Sequence, residues 1–508
     1  MGHINNSDLP RTGYIVTLLL WAIRQGEKLE RINESVLIMN MVDYLLGKAN
    51  FQKALEKEFD ATSKEITLQS FARFVRDHGG ITSSNQAITF LIGFFKDRGL
   101  DYDASGVLDA LCRCGILIKR NGDVSFKYRC FQEYFIARHL DSSEVRLKEA
   151  LFNRSYLGFQ REIELLAGLN RENKVVLEEL SFQLATYQPS YIAEVDMKAF
   201  DDVVDEESSV GVSRRKLKQI REKNLTADQI DDLMDAAEAE IAQKRKPKTE
   251  KAAPSKSGSV DSEVSSTVSS AHSVNTASDS VLSQPNLHMG AFIATLSLLG
   301  RVIRNSEFAE RDLKIKLVRC YVSHAAKFFV YVNGVVSDLL VSMVASMKES
   351  SDFLDQESER ALKYFLTLKM MSFTGDLVSS DIGGSKLIPI FEEILDANDI
   401  SLAEKTFLSG IQLDIGNEDW MEHWGRLAME SKKRRIAVEF LVNKLWTHIH
   451  EKLLTPSERR DVETMAADLE ITLGAHKQTK SRIMQRMRQV TEKHARDQDR
   501  DESEEFVP

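Results

Sequence analysis

The spacing of hydrophobic residues predicts a mainly α-helical chain with one short β-hairpin. Apolar residues recur three and four positions apart through most of the sequence, which is the period of an amphipathic helix. The exception is Asn121-Gly122, which stands between two short apolar runs. Because Asn-Gly accepts positive φ at both turn positions, it predicts a two-residue hairpin. The predicted cross-strand pairs are Lys119 with Val124 and Leu117 with Phe126.

Helices are predicted on both sides of this hairpin. Residues 106–114 have helical spacing, and Gly115 follows where a left-handed C-cap is expected. Upstream, Ser83 and Gln86 have the spacing of a capping box that starts another helix. A third helix ends near Gly79-Gly80. The helix after the hairpin places three aromatic residues on one side: Phe131, Tyr134 and Phe135. Three helices followed by a hairpin predict a winged-helix domain.

The second half of the chain is helical by pattern, and it fits an α-helical array or an irregular bundle without a fixed repeat. Gly334 is a candidate break in the longest helix, and Thr455 to Glu458 forms a capping box with Pro456 at the first helical position. The predicted helices are Met289 to Ile303, Leu313 to Met347, Leu354 to Phe373, Leu387 to Leu395, Ala403 to Ile411, Trp420 to Met429 and Ile436 to Leu454.

Composition divides the chain into domains. Residues 244–286 are rich in serine and contain no aromatic residue, so they cannot offset a chain entropy of about 1–2 kcal/mol per residue. They predict a disordered linker that leaves the two folded halves free in orientation. The predicted segments are 1–60, a small helical domain; 61–140, the winged helix; 141–243, a helical extension; 244–286, the linker; 287–475, a C-terminal helical domain; and 476–508, a charged tail.

The stretch from Phe126 to Ala137 resembles the end of the winged helix in NACHT-type STAND NTPases, and the run FQEYF carries most of this likeness. In that family a histidine senses the nucleotide phosphate, and Tyr128 stands at its position. A tyrosine hydroxyl can hydrogen-bond a phosphate but has no cationic form. The segment from Leu9 resembles the Leu-Pro-x-Thr-Pro-Tyr opening of the family's small helical domain, with Gly13 in place of the second proline. The resemblance implies Tyr128 and Pro10 as nucleotide-contacting positions.

The sequence offers no catalytic constellation. It lacks the Gly-Lys-Ser/Thr motif that holds nucleotide phosphates, and Gly383 to Lys386 is expected to be a loop before a helix. Cys112-x-Cys114 has no second pair of ligands nearby, so buried thiols are expected rather than a zinc site. A helix would point His448 and His450 to different faces. We therefore expect no enzyme activity and no metal site in this chain.

Charge and cysteine content refine the class of protein. The formal net charge of -10 and the pI near 5.7 argue against a general nucleic-acid coat protein. Four cysteines in 508 residues make no disulfide framework, which indicates a reduced, cytoplasmic protein. No N-terminal signal peptide is recognised, and no membrane contact is expected.

The resemblance implies the regulatory and sensor portion of a STAND signalling NTPase, in anti-phage or innate-immune defence. The implied partners are an NTPase core, in cis or in trans, and a protein or viral ligand bound by the C-terminal helices. ATP or ADP would enter only through that core, and a homo-oligomer is an expected assembly that depends on the nucleotide state. Two alternatives stay open: a free-standing helical adaptor, and a winged-helix DNA-binding regulator that uses Lys119, Arg120 and Lys127.

Overall fold

The computed structural model shows a mostly α-helical protein with one small antiparallel sheet. The structure describes residues 33–48, 59–205, 285–350, 356–430, 435–451 and 455–472, together with Leu20, Arg24 and Gln485. The predicted linker lies outside the described residues except for its last two positions, which begin a helix. The predicted charged tail lies outside them except for Gln485.

The hairpin unit, residues 59–141, forms around the three-stranded sheet. Its strands are ordered β1-β3-β2, and both pairings are antiparallel. The predicted pairs Lys119 with Val124 and Leu117 with Phe126 are those observed, so the predicted register is confirmed. The elements up to its end are α1 Glu34–Lys48, α2 Ala61–Asp77, β1 Thr82–Ser83, α3 Ser84–Lys96, α4 Ala104–Arg113, β2 Leu117–Arg120, β3 Asp123–Phe126 and α5 Arg129–Asp141.

Local turn and cap chemistry determines these elements. Asn121 and Gly122 have φ of 54° and 90°, as the two-residue turn requires, and Gly115 ends α4 with φ of 83°. Ser83 and Gln86 form the predicted capping box at the start of α3. Strand β1 is not predicted by the sequence, because its two residues include the cap residue Ser83 and are too few to show an alternating pattern.

The remaining elements are all helical, and two of them differ clearly from the predicted helices. α12 continues through Gly334, which lies on an exposed part of the helix where its missing side chain leaves no gap in the core. α13 extends beyond Phe373 to Ile382. Gly375 lies inside this helix, and the ring of Phe440 packs against it where a larger residue would have its side chain. The elements are α6 Glu144–Leu151, a 3-10 helix Phe152–Gly158, α7 Gln160–Leu169, α8 Lys174–Tyr187, α9 Ser190–Ala193, α10 Met197–Asp205, α11 Pro285–Asn305, α12 Arg311–Ser350, α13 Gln356–Ile382, a 3-10 helix Ser385–Leu387, α14 Ile388–Leu395, α15 Leu402–Asp414, α16 Trp420–Glu430, α17 Arg435–Glu451 and α18 Pro456–Thr472.

The helices before and after the predicted linker share one core, so the expectation of two halves with free orientation is wrong. The Tyr156 hydroxyl lies 2.8 Å from the Thr295 hydroxyl, and both groups are buried. Phe200 of α10 is fully buried, and its ring centroid lies 5.7 Å from that of Phe329 and 5.9 Å from that of Phe407. Composition predicts a linker, but it cannot predict that the apolar faces on either side bury each other.

One stretch within the described residues, Arg311–Ser342 of α12, is long and apolar enough to span a membrane by length and composition. Much of its apolar surface packs inside the protein. Tyr321, Val322 and Phe329 are fully buried there, and α10, α11 and α13 pack against the same helix.

Candidate functional site

Tyr128 occupies the N-cap position of α5, directly after the hairpin. Its backbone is extended, with φ of -126°, and 45% of the residue is exposed. The ring packs edge-on against fully buried Phe131, with centroids 5.2 Å apart. The Lys127 ammonium lies 5.5 Å from the centroid of the same ring. Tyr128 is therefore anchored to the core along one edge and open to an incoming partner along the rest.

Exposed Lys127 and Arg129 flank Tyr128 in the sequence, and exposed Lys119 and Arg120 lie at the turn end of the same hairpin. We call Lys119, Arg120, Lys127, Tyr128 and Arg129 the hairpin face. The first backbone N–H groups of α5 lie beside Tyr128, and the positive end of a helix favours an anion there. This arrangement suits contact with a phosphate or a carboxylate on a neighbouring domain.

The FQEYF run turns its aromatic residues away from this face. Phe131, Tyr134 and Phe135 are all buried, and the ring centroids of Tyr134 and Phe135 lie 5.1 Å apart. Burial, together with the charge of Glu65, raises the pKa of Tyr134 well above its usual range. These three residues stabilise the core, so the recognisable run marks the fold more than it marks a contact site.

The acidic member of the run, Glu133, begins a network of charges. Glu133 lies 2.7 Å from Arg129 and 3.9 Å from Arg161 of α7. Arg161 lies 3.1 Å from Glu164, whose carboxylate faces α11. The carboxylate of Glu164 is 3.5 Å from Arg301 and 3.8 Å from Arg304. Glu133, Arg161, Glu164, Arg301 and Arg304 form what we call the charge network, which runs from α5 through α7 to α11.

The charge network also contacts two further helices, α1 and α13. Arg161 also pairs with Glu34 of α1, and Arg304 donates a hydrogen bond of 2.6 Å to the Ser380 carbonyl of α13. Burial alone would lower the pKa of Arg161, but the charges of Glu34 and Glu164 outweigh it and raise that pKa. Asp381, next to Ser380, accepts a hydrogen bond of 2.8 Å from Tyr321, and burial raises its pKa. The network and its partners thus connect five helices, α1, α5, α7, α11 and α13.

Three further ion pairs join elements near the charge network. Glu162 of α7 pairs with Arg76 of α2, and both residues are at least partly buried. Glu307 pairs with Lys386 and lies 3.3 Å from Arg171. Lys386 lies in the 3-10 helix Ser385–Leu387 directly before α14, and its ammonium pairs with Glu307. Of the stretch expected to be a loop, only Gly383 and Gly384 lie outside a helix.

Among the described residues, the other candidates named from the sequence do not assemble into a site. Pro10 lies outside the described residues. Cys112 and Cys114 are free thiols, and burial followed by the charge of Asp109 raises the pKa of Cys112 to about 11. Within the described part of the chain, no group of three or more His, Cys, Asp or Glu residues could hold a metal ion. His448 and His450 both lie in α17.

Sequence reasoning does not find the charge network. Its glutamates look like ordinary solvent-facing positions, and Arg301 and Arg304, which meet Glu164, lie far from it in the sequence. A signal is nevertheless present, because Glu162 and Glu164 flank Ile163 just before an apolar run and are both buried. Buried carboxylates must be paired, so acidic residues inside an apolar stretch point to a distant basic partner.

Comparison with known proteins yields one match. Residues 81–136 match the family described as Novel STAND NTPase 4. The matched stretch starts just before β1 and ends within α5, so it contains the whole hairpin and the FQEYF run. No curated protein and no solved structure matches the chain. Residues 81–136 are therefore a STAND NTPase-related region, which indicates a role associated with a signalling NTPase.

Proposed function

We propose that this chain is the regulatory and sensor portion of a STAND signalling NTPase of the NACHT type, which acts in anti-phage or innate-immune defence. In this proposal the hairpin unit is a winged helix that docks on a nucleotide-holding domain, in cis or in trans. Tyr128 then contacts the nucleotide phosphate or the loop that holds it. The match at residues 81–136 and the basic residues that flank Tyr128 in the sequence support this docking.

The observation that carries the proposal is the connection between the docking helix and the C-terminal helices. Tyr128 caps α5, and Glu133 of the same helix begins the charge network that ends on α11. A displacement of α11 or α13 would separate Arg301 and Arg304 from Glu164 and leave its carboxylate without its partners. The protein thereby has a physical route by which a ligand on the C-terminal helices can alter the position of the hairpin unit.

In the proposed mechanism the resting chain holds the ATPase core closed. Binding of a protein or viral ligand to the C-terminal helices releases the core, which then oligomerises. In this proposal the phosphate-binding loop belongs to the core, because the sequence of this chain has no Gly-Lys-Ser/Thr motif. Nucleotide enters only through the core that the hairpin face contacts.

The test uses the full 508-residue chain as bait for the P-loop ATPase encoded in its own genomic neighbourhood. We expect capture of a protein with a Gly-Lys-Ser/Thr motif, identified by mass spectrometry, to differ between ATP and ADP. Tyr128→Ala and Lys127→Ala should each weaken capture by about tenfold, the scale of a contact near the centre of an interface. Phe182→Ala, at another exposed aromatic residue, is the matched control and should leave capture unchanged. Capture that neither hairpin substitution alters would contradict the proposed docking face.

The same preparation separates this function from DNA binding. The hairpin exposes Lys119 and Arg120, yet Lys119 lies 3.9 Å from Asp109, and exposed Asp123 follows the turn. We expect no shift of duplex DNA at near-physiological salt, where a non-specific basic patch binds weakly. A shift that Arg120→Ala abolishes would favour the winged-helix regulator. A chain that binds neither DNA nor a P-loop protein would favour the adaptor.

A further inference from the structure

Helix α13 carries two exposed aromatic rings on the side opposite its buried face. Its inner face packs into the core through buried Leu368, Met371 and Val378. On its outer face 38% of Phe365 and 56% of Phe373 remain exposed. Two aromatic rings exposed on one helix face form a candidate surface for binding another protein.

The outer face is a single stripe of residues. Phe365, Lys369, Phe373, Asp376 and Ser380 fall within an arc of about 80° at 3.6 residues per turn. All five residues are exposed. The Lys369 ammonium lies 5.5 Å from the Phe365 ring centroid. We call these five residues the α13 stripe, and Val341 of the adjacent helix α12 adds further exposed apolar surface, with 56% of the residue accessible.

The charges of the stripe are complementary to themselves when the helix is reversed. Lys369 and Asp376 stand on opposite sides of Phe373, one turn before it and almost one turn after it. Two such helices packed antiparallel around Phe373 place Lys369 of each copy opposite Asp376 of the other. Phe373 then meets its own counterpart, and Phe365 lies near Ser380. Each contact then occurs twice, once from each copy to the other, as in a two-fold symmetric interface.

We propose that the α13 stripe is the contact surface between two copies of this chain, packed antiparallel about Phe373. The proposal goes beyond the function inferred above, because it concerns C-terminal helices outside the family match and does not depend on an ATPase core. Asp376 lies 3.5 Å from Lys444 within its own chain, but Lys444 also pairs with Asp414. The Asp376 side chain keeps 68% of its surface exposed and remains accessible to a second lysine.

The expected dimer is weak. A stable interface buries about 1,200–2,000 Å² in total, and a contact centred on one helix stripe lies toward the low end. We therefore expect a dissociation constant in the micromolar range, on the order of 10 µM. Sedimentation equilibrium of the full chain across a range of concentrations at low ionic strength would measure it.

Charge reversal provides the decisive experiment. Lys369→Glu and Asp376→Lys should each weaken self-association by at least about tenfold, since each creates two like-charged pairs across the two-fold axis. A mixture of the two variants should associate again, to within about threefold of the wild type, because both cross-pairs are then of opposite charge. Phe373→Asp should abolish the dimer. Phe182→Asp, at an exposed aromatic residue on α8, is the matched control and should leave it unchanged.

Every outcome decides the proposal. Monomeric wild-type protein at all concentrations would overturn it, and would mean that another segment of the chain or a different partner covers the stripe. A dimer that persists in Phe373→Asp would place the interface elsewhere. Two variants that dissociate but do not associate when mixed would show that the charges do not face each other. Thermal unfolding by circular dichroism confirms that each variant remains folded.

Discussion

Helices α5 and α7 lie side by side yet meet the rest of the molecule in opposite ways. α5 buries three aromatic rings within the hairpin unit, among residues close to it in sequence. α7 buries Glu162 and Glu164 against arginines from α2, from α7 itself and from α11. Apolar packing stabilises a fold without strict demands on its partner. Buried charges demand particular partners, because a carboxylate left without them is costly.

The contrast assigns different roles to the two helices. The aromatic side of α5 makes the hairpin unit a firm body on which the hairpin face is presented. The charged side of α7 specifies how that body sits on the C-terminal helices. Replacing a buried ion pair by apolar residues is often neutral or stabilising, so the charge network is better explained by specificity than by stability. This comparison predicts how substitutions at the two places should differ.

The largest effect is expected from the aromatic side. Phe131→Ala removes a fully buried ring and should lower the free energy of unfolding by about 3–5 kcal/mol. If the described helices unfold as one body, the loss will appear in the fluorescence of Trp420 and Trp424, which lie in the C-terminal helices. Tyr128→Ala, at a half-exposed site on the same helix, should change stability by less than about 0.5 kcal/mol. A tryptophan transition that Phe131→Ala leaves in place would show that the two regions unfold separately.

The charged side should respond more weakly but more specifically. Glu164→Gln removes the charge that Arg161, Arg301 and Arg304 share, and should cost about 2 kcal/mol, since these arginines keep partial contact with solvent. Urea denaturation measures the loss. Glu178→Gln, an exposed carboxylate on α8, serves as the control and should be neutral. Equal effects of the two substitutions would remove the special role of the network.

Protonation of His139 on α5 should lower the free energy of unfolding at acidic pH, by less than the substitutions above. Burial, aided by the charges of Arg146 and Arg73, lowers the pKa of His139 to about 4. The unfolded chain, with a histidine pKa of about 6.5, therefore binds the proton first. The stability due to neutral His139 is complete above pH 6.5 and is lost as the pH falls toward 4.

Partial exposure of His139 limits that loss to about 1 kcal/mol. Urea unfolding of the wild type and of His139→Gln, compared between pH 7 and pH 4.5, measures it. The wild type should lose more stability than the variant on acidification. Parallel pH profiles would contradict the assignment to His139.

The smallest effects test the local rules that shape the hairpin unit. Gly122→Ala should destabilise by about 1 kcal/mol, because Gly122 has φ of 90°. Gly93→Ala should stabilise by about 0.5–1 kcal/mol, because Gly93 lies inside α3 with nothing within 4 Å of the added methyl group. Thermal unfolding of both variants compares them directly. Shifts of the same sign would show that backbone conformation does not control these two positions.

These differences also explain what the sequence could predict. The register of the hairpin follows from Asn121-Gly122, because a two-residue turn fixes every cross-strand pair. The capping boxes at Ser83 and Thr455 follow equally from residues three positions apart. Both signals are local, so a single sequence is sufficient to locate them.

The arrangement of the helices depends on contacts that no local pattern encodes. Glu164 gives no indication that Arg301 and Arg304 will meet it. The helix predicted to end at Phe373 continues through Gly375, which lies against the ring of Phe440. Tyr128 is found through a family resemblance alone, since its exposure at the N-terminus of α5 depends on where the hairpin folds back. The candidate docking face was therefore predictable in part, and the charge network was not.

The central claim is that the charge network joins the hairpin unit to the C-terminal helices as one cooperative body. Amide hydrogen exchange of the Glu164→Gln variant tests it most directly, with Glu178→Gln as the reference. We expect exchange to accelerate together in α5, α7, α11 and α13, with similar factors in all four helices. Acceleration confined to α7, with α5 and α13 protected as in the wild type, would contradict it.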